Sequence, residues 1–201
     1  MTNKDKFLKD LGSWFIVLVV ALLLAAFVNS QIFAMATVKE ISMQNTLFAD
    51  QVLVVNRLSY RNKIPQKGDI IIFYQSREID SFFKEFGRSI SSILPFMGPD
   101  EEESRDRLVK RVIATPGDEI DIRDGKVYVN GEQLNEPYVK GITPEGIIKL
   151  PLIVEENQLF VMGDNREHSR DSRHFGCIDV SHVEGKASLR LFPFSKFGKI
   201  K

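Results

Sequence analysis

Glu119-Ile120-Asp121-Ile122-Arg123-Asp124-Gly125-Lys126-Val127-Tyr128-Val129-Asn130-Gly131 is the stretch that decides how the chain is read. Ile120 and Ile122 alternate with polar neighbours, and Val127 and Val129 repeat the pattern. A period of two is the strand period, because successive side chains leave a strand on opposite faces. Asp124-Gly125 and Asn130-Gly131 are dipeptides that accept positive φ, as tight hairpin turns demand. The stretch therefore predicts antiparallel strands joined by short turns.

The same texture extends in both directions. Upstream lie the β-branched runs Gln51-Val52-Leu53-Val54-Val55-Asn56 and Asp69-Ile70-Ile71-Ile72-Phe73-Tyr74, the second preceded by the turn Pro65-Gln66-Lys67-Gly68. Residues 108–114 form another apolar run, closed by Thr115-Pro116-Gly117-Asp118. Downstream come Leu159-Phe160-Val161-Met162 and Ala187-Ser188-Leu189-Arg190-Leu191-Phe192. Short strands with frequent turns predict a mainly β, antiparallel domain over residues 34–201.

Two segments break the rhythm. Residues 14–28 are unbroken apolar sequence, and residues 11–33 match the roughly 20 apolar residues that a membrane-spanning helix needs. Lys4, Lys6 and Lys9 precede it, so residues 1–10 are expected on the cytoplasmic side and the β domain outside. A cleaved secretory signal ending at Ala34-Met35-Ala36 is the rival reading. The second segment is an insert over residues 75–106. Ile79, Phe82, Phe83, Phe86, Ile90, Ile93 and Leu94 recur there at helical spacing until Pro95. It is expected as a helix packed on its own domain or lying in the membrane interface, followed by a solvated acidic loop at Asp100-Glu101-Glu102-Glu103.

The 201 residues carry no formal net charge, which gives no reason to expect nucleic acid as a partner. The single cysteine, Cys177, has no partner for an internal disulfide.

Three arrangements offer chemistry. Ser42 follows the apolar segment directly, and Lys110 stands on one strand face between Leu108 and Val112. A serine hydroxyl needs a base to become a nucleophile, and a lysine serves only when neutral. Burial lowers a lysine pKa by up to roughly 3–5 units, so Lys110 suits that role if enclosed. The plain alternative is an edge-strand lysine reaching solvent. The second arrangement is a Ser-His-Asp set drawn from His168, His174 and His182 with Asp164, Asp171 and Asp179. The third is a metal site from the same residues, but no ligand spacing recurs, so no metal and no cofactor is expected. The densest polar stretch, Gly163-Asp164-Asn165-Arg166-Glu167-His168-Ser169-Arg170-Asp171-Ser172-Arg173, follows an apolar strand and suits a supporting shell around a reactive group.

Taken together these stretches resemble the type I signal peptidases, membrane-bound Ser-Lys proteases of bacteria. Ser42-Met43-x-x-Thr46-Leu47 resembles the nucleophile box. Gly68-Asp69-Ile70-x-x-Phe73 and Lys110-Arg111-Val112-Ile113-Ala114-x-Pro116-Gly117-Asp118 resemble the next two boxes. Gly163-Asp164-Asn165-Arg166-x-x-Ser169-x-Asp171-Ser172-Arg173-x-x-Gly176 resembles the last. The resemblance implies a β-rich catalytic domain of the signal peptidase type behind one transmembrane helix in the bacterial cell membrane. It implies exported preproteins as substrates, cut after small-x-small sites such as Ala-x-Ala, and an apolar surface resting on membrane lipid. Phe192, Phe194 and Phe197, interleaved with Arg190, Lys196, Lys199 and Lys201, are candidates for that surface.

The implied roles are Ser42 as nucleophile, Lys110 as general base and Ser169 as orienter of the amine. Asp171 and Arg173 form an ion pair, Asp164 pairs with Arg111, and the Ser42 N–H supplies part of the oxyanion hole. Val38, Met43, Leu47 and Leu108 are candidates to line the side-chain pockets. Asn45 stands where the family usually has proline. Glu40 stands where one branch has a serine that completes the oxyanion hole, and an ionised carboxylate cannot donate there. These two departures motivate one alternative, a non-cleaving relative that binds exported chains or partners through the phenylalanine-rich insert. A further alternative is a Ser-Lys protease that cuts itself or one dedicated partner.

Overall fold

The computed structural model describes residues 3–75 and 107–200. The helical insert read over residues 75–106 lies, but for residue 75, outside the described residues.

Helix α1 (Asn3–Gln31) contains the apolar segment. Its window Asp10–Val28 is long and apolar enough to cross a membrane, with a mean hydropathy of 2.7 and 6% of its residues buried. The helix stops where the polar residues Asn29-Ser30-Gln31 fall. The apolar residues beyond them do not prolong it, as the sequence reading to residue 33 implied. They form strand β1 (Phe33–Thr37), which alternates exposed and buried positions. Ala34 and Ala36 pack against Val55 and Ile72, and β1 pairs antiparallel with β2 (Val52–Asn56). The Ala34-Met35-Ala36 sequence is thus part of a sheet.

The larger sheet holds β1, β2, β3 (Ile70–Tyr74), β4 (Arg107–Ala114), β9 (Gln158–Met162), β10 (Ile178–Asp179), β11 (Val183–Phe192) and β12 (Gly198–Lys199). Their order is β1-β2-β11-β3-β4-β9-β10, with β12 attached to β11. Every pairing is antiparallel. β3 is the central strand in character, since Ile70, Ile71, Ile72 and Phe73 are all buried. A strand covered on both faces reads as a continuous apolar run, and this one does.

The smaller sheet is the predicted hairpin. β5 (Glu119–Arg123) pairs with β6 (Lys126–Val129), flanked by β7 (Glu132–Gln133) and β8 (Leu152–Ile153) in the order β7-β6-β5-β8. Ile120 faces Val129 and Ile122 faces Val127. These four, with Ile113, Ala114, Val154, Phe160 and Met162, form the apolar cluster that joins the two sheets. The turn between β4 and β5 needs Gly117, whose φ of 85° lies in the left-handed region. Asp118 closes it by accepting from Thr115 N at 2.9 Å and Thr115 Oγ1 at 2.8 Å.

Candidate active site

Ser42 begins the irregular loop that links β1 to β2. Local carbonyls hold this loop: Gln44 N donates to Ile41 O at 3.1 Å, and Leu47 N to Met43 O at 2.7 Å. The Gln44–Asn45 peptide bond is cis. Met43 and Leu47 anchor the loop in a buried cluster with Val38, Leu53, Ile70 and Ala187. Ser42 itself is 5% exposed. Among the described residues nothing accepts a hydrogen bond from its N–H, while its carbonyl accepts from Asn165 N at 3.0 Å. Asn165 Nδ2 also donates to Ile41 O at 3.1 Å. One side chain and one backbone amide of the polar stretch thereby fix the two residues at the serine.

Lys110 comes from β4, which lies between β3 and β9 and is no edge. Its side chain is 1% exposed. Nζ lies 2.7 Å from Ser42 Oγ, and no other side chain hydrogen-bonds that oxygen among the described residues. Glu40 Oε2 stands 3.9 Å from the same nitrogen, on a side chain that is 64% exposed. Burial pushes the amine below the ordinary lysine value. Glu40 and Asp171 pull it back up, and Arg173 pushes it down. Burial is the largest of these effects, because a charged amine loses its hydration while its partners are partly exposed or already paired.

The polar stretch after β9 surrounds this pair with ion pairs. Arg111 Nε and Nη2 bind Asp164 at 2.9 and 2.8 Å, a two-point fork. Asp164 also accepts from Thr46 Oγ1 at 2.5 Å, so the fork ties β4 to the serine loop. Tyr138 lies under the Arg111 guanidinium, 3.8 Å from ring centroid to Cζ. Asp171 caps helix α2 (Ser172–Phe175) and accepts from Arg173 Nε at 2.9 Å and Nη2 at 2.8 Å. Burial would raise the Asp171 carboxyl, but Arg173 and the Gly163 N–H outweigh it and hold it low. Arg166 extends inward to Gly163 O, Thr143 and Glu136.

Ser169 is buried beside Gly163 and the Ser42 carbonyl: a Cβ on Gly163 would meet both its Oγ and that carbonyl. Among the described residues no partner meets its Oγ in good hydrogen-bond geometry, although the hydroxyl is near enough to Asp171 to help hold that carboxyl low.

Sequence reasoning named Ser42, Lys110, Asp164, Arg111, Asp171, Arg173 and Ser169, and the structure gathers them. It separates the pocket candidates. Val38, Met43 and Leu47 share one cluster with Val109, whereas Leu108 packs with Ile71, Phe73 and Val112 in another. Alternation along β4 puts the adjacent Val109 and Leu108 on opposite faces, and it is Val109 that packs with Val38, Met43 and Leu47. Met43 and Leu47 are also fully covered, which makes them core. Among the described residues, no group of three or more His, Cys, Asp or Glu is placed to hold a metal ion. His174 Nδ1 lies 4.0 Å from Asp171 Oδ1. Roles for Asn165, Arg166, Tyr138 and Glu136 went unread. Asn165 and Arg166 were visible as polar residues next to a strand, but Glu136 and Tyr138 lie in irregular chain with no periodic signal.

Residues 11–192 match the family model described as signal peptidase, peptidase S26. The chain belongs to the signal peptidase family S26. Family membership makes it a serine protease of the signal peptidase class. It is 31% identical over 205 residues to signal peptidase IB of Staphylococcus aureus (strain Mu50 / ATCC 700699), covering 94% of this chain and 93% of that one. It is 29% identical over 181 residues to the probable signal peptidase I-2 of Synechocystis sp. (strain ATCC 27184 / PCC 6803 / Kazusa), covering 90% and 73%. A crystal structure of a signal peptidase I from Enterococcus faecalis V583 shares 30% identity, covering 62% of this chain and 97% of that one, with a TM-score of 0.41.

Proposed function

We propose that this chain is a membrane-anchored endopeptidase that removes signal peptides from exported preproteins after small-x-small sites, with Ser42 as nucleophile and Lys110 as general base. The observation that carries this reading is the 2.7 Å approach of a 1%-exposed lysine amine to the serine hydroxyl. An amine kept from water spends more of its time neutral, and only the neutral form has the lone pair to accept a proton.

The neutral Lys110 amine takes the Ser42 hydroxyl proton as Oγ attacks the scissile carbonyl carbon. The oxyanion of the tetrahedral intermediate meets the Ser42 N–H, which has no other acceptor among the described residues. One such donor is typically worth about 10²–10³ in rate. The Lys110 ammonium then returns its proton to the leaving amine as the peptide C–N bond breaks. Water hydrolyses the acyl-enzyme by the same route. Asp171 with Arg173 and Asp164 with Arg111 hold the walls of the site. Ser169, buried next to Gly163 and the Ser42 carbonyl, orients the amine.

In this reading α1 spans the membrane with residues 1–10 in the cytoplasm and residues 34–201 outside, where signal peptides emerge. The exposed aromatics Phe192, Phe194 and Phe197 and the cations Lys196 and Lys199 rest on lipid.

The test is cleavage of an Ala-x-Ala preprotein by the purified chain in lipid vesicles. Wild type cuts at the Ala-x-Ala site, and Ser42→Ala and Lys110→Ala each lower the rate by at least about 10³-fold. Near-normal activity in Lys110→Ala would remove the dyad. A wild type that binds but never cuts would favour a non-cleaving relative, and one that cuts a single preprotein among many would favour a dedicated protease.

A further inference from the structure

We propose that Glu40 is the charge partner of the Lys110 base, a positioning residue that stabilises the ammonium formed during the reaction and sets the pH at which the enzyme switches on. The inference rests on the assignment of Lys110 as base. It stands on geometry that this assignment leaves unused. Glu40 sits in the segment leading from β1 to Ser42, and its Oε2 is 3.9 Å from Lys110 Nζ.

A Ser-Lys pair differs from a Ser-His-Asp triad in having no carboxylate behind the base. When Lys110 accepts the serine proton, a full positive charge appears in a site almost closed to water. The charged groups that face it are few. From α2 and the residue that caps it come Arg173 and Asp171, but they neutralise each other through two hydrogen bonds. His174, on the same helix, stands 4.0 Å from Asp171. From its own strand, Arg111 is engaged by Asp164. Among the described residues Glu40 pairs with Lys110 alone, so of the carboxylates that face the amine it is the one whose charge is not already engaged by an arginine.

The separation is longer than a hydrogen bond and within the range of an ion pair. The carboxylate is 64% exposed, so water screens it in the free enzyme. A peptide laid over Ser42 displaces some of that water, and the same charge then acts at lower effective dielectric. The interaction is therefore stronger in the transition state than in the resting enzyme, which is the condition for catalysis.

The arrangement has an opposing consequence. A carboxylate that favours the ammonium also keeps the resting base protonated to higher pH. Removing it lowers the basicity of Lys110, so more of the base is available at low pH. Each available base is then weaker, and its charged form is less stabilised. Glu40→Gln must therefore have a lower plateau than wild type, with its acid limb displaced to lower pH relative to that plateau.

The experiment measures kcat and KM for the full chain in detergent–lipid micelles, acting on an Ala-x-Ala peptide across the acid limb and up to the plateau. Glu40→Gln is expected to lose about 3- to 10-fold in plateau kcat, at little change in KM. Its acid limb shifts to lower pH, so that activity relative to plateau rises about 3-fold on the limb. Glu40→Asp, which keeps the charge on a shorter arm, restores the limb toward the wild-type position. Superimposable profiles for Glu40→Gln and wild type overturn the proposal, and so does a loss confined to KM at every pH, which would make Glu40 a substrate contact. Both outcomes leave the Lys110 assignment standing. That assignment fails separately, if Lys110→Ala retains the wild-type rate.

Discussion

A lysine with 1% of its side chain exposed is a cost to the fold as well as a candidate for chemistry. Its pKa is depressed by burial, so between the folded value and the ordinary lysine value of about 10.4 the unfolded chain binds one more proton than the folded one. Stability contributed by this position therefore rises with pH across that window and is least below it. Lys110→Met should stabilise the protein near neutral pH, by about 1–4 kcal/mol if it behaves like other replacements of buried charge by apolar side chains. The gain should shrink as pH rises toward the ordinary lysine range. Urea unfolding of both proteins at neutral and alkaline pH checks this, and equal differences at both pH values would refute it. Activity should run the same way in wild type, rising with pH as Lys110 loses its proton. The residue's type and strand were legible in the sequence, and its enclosure was not. Alternation along β4 leaves both an edge and an interior position open for Lys110. The neighbours that enclose it, β3 and β9, are distant in sequence, and pairing between distant strands leaves no local periodicity.

At the scale of elements, the loop from Gly163 to Asp171 is held against the serine loop with no space between them. A Cβ added to Gly163 would stand 2.5 Å from Ser42 O and also press on Ser169 Oγ. The carbonyl is not free to retreat, because Ser42 O is held by Asn165 N, and Gly163 cannot back away, because its N–H is bound to Asp171 Oδ2 at 3.0 Å. Gly163→Ala must therefore move the nucleophile or its surroundings. The expected result is a loss of about 10²-fold in kcat, the scale of a misplacement near 1 Å, with a destabilisation of about 1–3 kcal/mol. Steady-state kinetics beside a thermal melt separates the two effects, and a variant with wild-type kcat would show that the loops are not tightly coupled. Turn chemistry made the elements themselves readable. Asp124-Gly125 and Asn130-Gly131 placed β5, β6 and β7 because positive φ has few tolerant residues. The long connection after β7 was opaque. It reaches the site through Glu136 on Arg166 and Tyr138 on Arg111, contacts between single residues that obey no period. The packing around β4 was hidden in the same way: the sequence did not show that Val109, and not Leu108, would share a cluster with Val38, Met43 and Leu47.

For the whole molecule, the question is what α1 contributes to a domain whose β-sheets begin only after it. Trp14, Phe15 and Ile16 are all largely exposed on the helix, as are most of the apolar residues of its Asp10–Val28 window. An apolar surface of that extent is covered by lipid or protein in the cell. Its weight in folding the β domain is small by comparison, since the sheet core is built from residues of β1 onward. Removing residues 1–31 should therefore leave a folded domain that still cuts a short Ala-x-Ala peptide within about 10-fold of the full chain. The same truncation should lose about 10²-fold or more on a preprotein embedded in vesicles if α1 is the proposed anchor, because an anchor raises the local concentration of enzyme at the membrane. The truncated domain still carries Phe33, Met35, Phe192, Phe194 and Phe197 on its surface, with Phe192 and Phe194 in edge-to-face contact. Such a patch should keep weak, salt-sensitive binding to anionic vesicles through Lys196 and Lys199. Flotation with anionic and neutral vesicles, run beside the two cleavage assays, tests the three expectations together. Loss of peptide cleavage on truncation would show that α1 shapes the site itself, whereas equal losses on peptide and preprotein would remove the anchor's role in bringing enzyme to substrate.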